Sequence, residues 1–117
     1  MVERHSDPLD AVFHALSDPT RREMLRELSR GARSVSELAA PFEMSLAAAS
    51  KHIKTLEKAG VVRREVQGRV HRCRLEAAPL ANAQDWLRHY ERFWTSRLDA
   101  LERLLHEDDR PPPSQRD

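Results

Sequence analysis

The sequence is poor in the residues that staple, hinge and catalyse. It has one cysteine, Cys73, and three glycines in 117 residues. A lone thiol closes no disulfide within one chain, which points to a reducing, cytoplasmic setting. So few glycines leave no glycine-rich phosphate loop. No nucleophile–base pair or set of paired carboxylates shares an identifiable cleft, so an enzyme is not expected. No apolar run approaches the length of a membrane span. The opening "MVERHSDPLD" is too acidic and polar for a signal peptide. What remains is enough chain for one domain with a modest core. With 39% hydrophobic and 33% charged residues, it reads as helix-rich and soluble rather than disordered.

The net charge is only +1, but its distribution is uneven. Residues 1–44 carry 6 basic and 8 acidic side chains, and residues 77–117 carry the same numbers. Residues 45–76 carry 8 basic against 3 acidic, a local excess of five positive charges. A basic face held in the middle third of a nearly neutral chain is a footprint for a polyanion.

Residues 1–6 show no pattern and are expected to be flexible. Asp7-Pro8 and Asp18-Pro19 each place an N-cap aspartate before a proline at the first helical position. The first helix carries Leu9, Val12, Phe13 and Leu16 as one stripe; the second carries Met24, Leu25 and Leu28 and stops near Gly31. Ser34 to Glu37 reads as a capping box for a short third helix with Val35, Leu38, Ala39 and Phe42 inward and an irregular end at Pro41. Ser45 caps a fourth helix, "LAAASKHIKTLEKA", on which Leu46, Ala49, Ile53 and Leu56 fall opposite Ala47, Lys51, Lys54 and Lys58; Gly60 ends it. The stretch "VVRREVQGRVHRCRL" then alternates with a period of two around a turn at Gln67-Gly68-Arg69, a β-hairpin with Cys73 and Leu75 toward the core. Pro79 opens the last helix, whose apolar positions run from Ala83 through Leu87, Tyr90, Trp94, Leu98 and Leu101 to Leu105. Unbroken to His106, it would reach roughly 42 Å, too long for so small a domain to cover, which suggests a second copy of the chain as its partner. The acidic, proline-rich end, residues 107–117, is expected to be a disordered tail. The domain proper is thus expected over residues 7–106.

Two short helices in succession, the second small at its start and cationic on its outer face, follow the helix-turn-helix plan. A helix entering a major groove about 12 Å wide cannot be bulky at its leading end. Ser45, Ala47 and Ala48 permit close approach, and an alanine methyl can touch a thymine methyl. Ser50, Lys51, His52 and Lys54 can reach base edges or phosphates. The hairpin adds Arg64, Arg69, His71 and Arg72, suited to the adjacent backbone or minor groove.

The segments "ALSDPTRREMLREL" and "SVSELAAPFEMSLAAASKHIKTLEKAGVVRREVQGRVHRCRL" resemble the ArsR family of bacterial winged helix-turn-helix repressors over roughly residues 9 to 105. The resemblance implies a mainly α fold with a small β-hairpin, in the order four helices, two wing strands and a last helix. It implies a homodimer joined through the first and last helices, by Leu9, Phe13, Leu87, Tyr90, Trp94, Leu98, Leu101 and Leu105. It places helix 46–59 in the major groove of double-stranded DNA and makes the hairpin, 62–75, the wing. Repression of the chain's own or a neighbouring operon, through an imperfect inverted repeat, is likewise implied by the resemblance. Ala47 stands where many relatives have proline.

Family members often release DNA when a metal binds. Their third-helix cysteine motif is replaced here by "ELAAP", without a thiol. On the last helix Asp85, His89, Asp99 and His106 do not repeat the family's other ligand spacing, and Asp85 with His89 reads as an ordinary i,i+4 contact. Cys73 reads as a packed, inert thiol. The chain therefore resembles the metal-independent branch, with no metal or cofactor expected. The alternatives are a metal- or redox-responsive repressor of the same type, or a winged-helix module that binds an acidic protein instead of DNA.

Overall fold

The computed structural model describes residues 7–109, with side chains to residue 107. Each expected helix start is present, made by the expected atoms. Helix α1 (Pro8–Leu16) is capped by Asp7, whose Oδ1 accepts from the Leu9 N–H at 2.9 Å. Helix α2 (Pro19–Leu28) is capped by Asp18, which accepts from Thr20 at 2.7 Å and Arg21 at 3.2 Å. Burial alone would push the Asp18 carboxyl up. The two backbone N–H bonds, with the Arg21 guanidinium behind them, bring it below the ordinary range.

Helix α3 (Val35–Ala39) begins with the reciprocal capping box: the Glu37 N–H donates to Ser34 Oγ at 3.1 Å, and the Ser34 N–H donates to Glu37 Oε1 at 2.7 Å. Pro41 lies in a 3₁₀ turn (Ala40–Phe42) that ends at Glu43, a non-glycine residue in the left-handed region at φ 52°. Ser45 then caps helix α4 (Leu46–Lys58), accepting from the Ala48 N–H at 3.1 Å. The end of α4 is a Schellman motif. The Gly60 N–H returns to the Glu57 carbonyl at 2.9 Å and the Val61 N–H to the Leu56 carbonyl at 3.2 Å, with Val61 and Leu56 both fully buried. Gly60 has φ 78°, a conformation in which any Cβ is strained, and an added methyl would sit 3.4 Å from Pro79 Cγ.

The hairpin forms as the alternation requires, with one addition. Strands β2 (Val62–Gln67) and β3 (Val70–Leu75) pair antiparallel, Gln67 opposite Val70 and Val62 opposite Leu75. Gly68, at φ 64°, is the first of two loop residues, the position at which a type II′ turn demands glycine. A two-residue strand β1 (Arg33–Ser34) adds to the other edge of β3, so the sheet order is β1-β3-β2 and β3 is central. Two residues leave no periodicity to read, which is why the sequence suggested two strands and not three.

Helix α5 (Ala78–Leu87) follows, then a 3₁₀ turn (Arg88–Tyr90) and helix α6 (Glu91–Asp109). The expected single last helix is therefore interrupted at 88–90, where the Glu91 N–H bonds to the Arg88 carbonyl, three residues back. No proline or glycine marks the place. Helix also continues to Asp109, three residues into the segment expected to be the tail; the rest of that tail and residues 1–6 lie outside the described residues.

The chain divides into two compact units between Gln84 and Asp85. In the first, one core draws on helices α1 to α5 and strands β2 and β3: Val12 and Ala15, Met24, Leu25 and Leu28, Leu38 and Ala39, Ala49, Ile53 and Leu56, Val61 and Val62, Cys73, and Ala83. Among the described residues no polar or charged side chain is buried with them. One expected inward residue is not there. Leu46, the first residue of α4, is 56% exposed, because the helix starts beyond the edge of the core. In the second unit the large apolar side chains of α6 are all exposed, Trp94, Leu98, Leu101 and Leu105 among them. Around the 3₁₀ turn the rings of Trp86 and Tyr90 lie 5.2 Å apart at 52°, and Arg92 stands 5.3 Å from the Phe93 centroid.

The Schellman geometry yields a direct expectation. Gly60→Ala forces an L-residue into the left-handed region, at a cost of about 1–2 kcal/mol, so its melting temperature should fall by several degrees. An unchanged melting temperature would contradict the assigned turn.

Candidate nucleic-acid interface

The roll of α4 about its axis decides which side chains can meet a ligand. At 100° per residue, Ala49, Ile53 and Leu56, all fully buried, define the inner seam. Ala47, Lys51, Lys54 and Lys58 lie diametrically opposite, and all four are exposed. Burying the three inner side chains stabilises this roll by several kcal/mol, at about 1.5–3 kcal/mol for each large one. Turning the lysines inward would forfeit that and bury unpaired charge.

The two flanks of α4 differ. On one side Leu46, Ser50 and Glu57 face the wing. The Glu57 carboxylate accepts from Arg64 Nη2 at 2.8 Å, and Arg64 Nη1 lies 3.5 Å from His71 Nδ1. This half-buried pair fastens the wing to the end of α4. Toward the other end helix and wing diverge, leaving an open groove of about 370 Å³ lined by Val35, Leu46, Ser50, Arg69, Val70 and His71, among others. On the opposite flank lie Ala48 and His52, and His52 Nδ1 is 3.2 Å from Arg21 Nη1.

The expected contact residues thus separate by what already holds them. The side chains of Lys51, Lys54 and Arg69 are exposed and, among the described residues, take no hydrogen bond or ion pair; Lys58 joins them. Ala47 is exposed beside them. Ser45 is exposed, but its hydroxyl oxygen is engaged as the helix cap. Ser50 and Ala48 are half-buried on opposite flanks. Arg64 is committed to Glu57, and His52 to Arg21. His71 is exposed on the wing near Arg64. Arg72 is half-buried and faces Glu37. The Ser34 backbone N–H chiefly, then the Ser34 hydroxyl and the Arg72 and Arg33 charges, hold that carboxyl below its ordinary range. Elsewhere on the sheet Arg74 bonds Glu65 at 3.2 Å and Arg63 lies 3.8 Å from Glu76. The acids near the wing are therefore matched by cations that are not on the α4 face, and among the described residues the α4 lysines stay unpaired.

Arg21 is the residue that reading the sequence for stripes misses. Its Nε donates to the Ala15 carbonyl at 2.8 Å and its Nη2 to the His14 carbonyl at 3.1 Å, while Asp18 lies 3.9 Å from Nη1. Arg22 donates to the Leu16 carbonyl at 2.7 Å. The run "SDPTRR" thus does two jobs at one corner: aspartate caps the start of α2, and two arginines satisfy the open carbonyls at the end of α1. The spacing from the end of one helix to arginines in the first turn of the next is the signal that could have found them.

Two side chains considered for sensing are also placed. Cys73 is fully buried in β3, and burial pushes its thiol above the ordinary range, the Arg64 charge opposing only in part. Asp85 lies 3.9 Å from Arg88, and with His89 they line a shallow cleft of about 160 Å³.

Residues 16–65, from the end of α1 through α4 into β2, match a helix-turn-helix domain model. An HTH-type transcriptional regulator of Mycobacterium tuberculosis is 33% identical over 96 residues, covering 82% of this chain and 87% of that protein. The transcriptional repressor SdpR of Bacillus subtilis is 29% identical over 82 residues, 70% of this chain and 91% of that one. The crystal structure of an ArsR family transcriptional regulator is 46% identical, with a TM-score of 0.70, over 76% of this chain and 92% of that one.

The position of Cys73 sets a test. A thiol held protonated in the core should react with an alkylating reagent only as fast as the protein opens. Modification at pH 8 should therefore slow as stabilising osmolyte is added. Because the folded thiol titrates higher than the unfolded one, stability should be constant below the ordinary thiol range and fall as pH rises through it. Rapid alkylation of the native protein, insensitive to osmolyte, would refute the buried placement.

Proposed function

Since the chain belongs to the ArsR family of helix-turn-helix transcriptional regulators, a family of DNA-binding transcription factors and not of enzymes, we propose that it acts in the cytoplasm as a homodimeric repressor. In this reading α4 enters the major groove of a double-stranded operator, and the wing lies on the backbone or in the minor groove. The observation that carries the reading is the unpaired cationic face, Lys51, Lys54 and Lys58 with Arg69 at the wing tip, set opposite a buried seam that cannot rotate. Ala47 leads that face and leaves room for base edges. Lys51 and Lys54 take guanine edges or phosphates, Ser45 and Ser50 donate hydroxyls, and Arg69, His71 and Arg72 meet the backbone. Arg64 acts mainly by holding the wing in register with the end of α4.

The dimer is supported by the exposed apolar side chains of the second unit. Trp94 is 43%, Leu98 58% and Leu101 52% exposed, an arrangement costly in water and suited to a matching copy. Leu9 and Phe13 of α1 are half-buried and complete the proposed contact, together with Leu87, Tyr90 and Leu105. A twofold dimer reads an imperfect inverted repeat, with half-sites about one helical turn or a multiple apart. Repression of its own or a neighbouring operon is supported by the repressor among its relatives.

Two results check this. Lys51→Ala should weaken operator binding by about 1–3 kcal/mol and relax discrimination. Arg69→Ala should weaken operator and random duplex alike and reduce the salt slope by about one. Equal operator affinity in both variants would remove α4 and the wing from the interface. Trp94→Asp should sediment as a monomer; a persistent dimer would place the interface elsewhere.

A further inference from the structure

Arg21 touches the recognition helix as well as the corner it fastens. Its side chain is only 11% exposed and is fixed by the Ala15 and His14 carbonyls and the Asp18 carboxylate. The same Nη1 lies 3.2 Å from His52 Nδ1. A guanidinium carries hydrogen on every nitrogen and accepts nothing, so Nδ1 must be the acceptor and the imidazole hydrogen must sit on Nε2. Among the described residues the His52 side chain takes no other hydrogen bond.

We propose that Arg21 is a positioning residue for DNA binding: it locks His52 as the Nε2–H tautomer, so that the flank of α4 presents a directed N–H donor to a phosphate oxygen. The proposal rests on the DNA reading above. His52 sits about 100° around α4 from Lys51, toward the side of a groove and not its floor, where the phosphate strand runs. A bond from N–H to phosphate is charge-assisted, and a donor whose tautomer and ring plane are already set loses nothing in choosing them. Arg21 and His52 are 31 residues apart, and the corner that caps α1 and α2 thereby also aims a side chain of α4.

The test separates the two halves of the claim. In ¹⁵N-histidine spectra of the free protein, neutral His52 should show the Nε2–H pattern alone, and Arg21→Met should relax it to the mixed tautomers of an unrestrained imidazole. His52→Asn keeps an acceptor for Arg21 at the Nδ1 position but removes the outer donor. Its melting temperature should match the parent while operator affinity falls about tenfold. The slope of log K against log salt should not change, since a neutral donor displaces no counterion. His52→Gln, which restores an N–H near the Nε2 position, should recover much of the affinity. An Nδ1–H signal in the free protein, or H52N binding as tightly as the parent, would overturn the proposal. A parent that binds no duplex at all would instead overturn the DNA reading beneath it, while the spectrum still judges the Arg21–His52 bond.

Discussion

The rest of this molecule depends on how three side chains, Ala49, Ile53 and Leu56, are buried. They fix the roll of α4, and every charged residue on that helix takes its direction from them. Packing energy is not specific to function, yet here it settles which side chains of α4 face outward. The only roll that buries the apolar seam is the one that turns Lys51, Lys54 and Lys58 outward. The surrounding elements serve as walls for that seam: α1, α2 and α3 supply Val12, Met24, Leu28 and Leu38, and the sheet supplies Cys73.

Polar contacts then set the flanks. On the wing side the Arg64–Glu57 pair ties β2 to the end of α4; on the other, Arg21 ties the α1–α2 corner to His52. Each is half-buried, where a charge-assisted bond contributes more than at the surface and where losing one partner costs more still. The outcome is a division of labour among the cations. Arg21, Arg22 and Arg64 are absorbed by carbonyls and carboxylates. Lys51, Lys54, Lys58 and Arg69 are left to solvent. Counting basic residues along the chain cannot make this distinction, because it depends on which acids and carbonyls the fold brings near.

Much of the architecture was nonetheless legible in the residues. Asp-Pro at two helix starts, the Ser34–Glu37 box, Ser45 before α4 and Gly60 after it each act through local geometry. A pattern confined to five residues predicts an atom-to-atom bond well. The alternation through Val62–Leu75 likewise fixed which face of the hairpin meets the core, since a one-residue slip would expose Cys73. What escaped was whatever depends on distant neighbours. Strand β1 exists only because β3 offers it an edge. The 3₁₀ turn at Arg88–Tyr90 has no residue that announces it. Leu46 fits the helical stripe by number, but the core ends before it. Arg64 and His52 look like free surface side chains until Glu57 and Arg21 arrive from 7 and 31 residues away. The exposed apolar face of α6 was visible as a stripe, and in the proposed dimer a second chain covers it.

The central claim, that a twofold pair of these chains sets the outer faces of its α4 helices into successive grooves of one duplex, is best tested by letting α4 mark its own position. An Ala47→Cys variant carrying a DNA-cleaving chelate suits this, because Cys73 is buried and should escape the label. Bound to its operator, it should cut at two places symmetric about the operator centre and one helical turn, or a multiple of one, apart. A single cleavage position, or cutting no more localised than that of the reagent free in solution, would contradict the account.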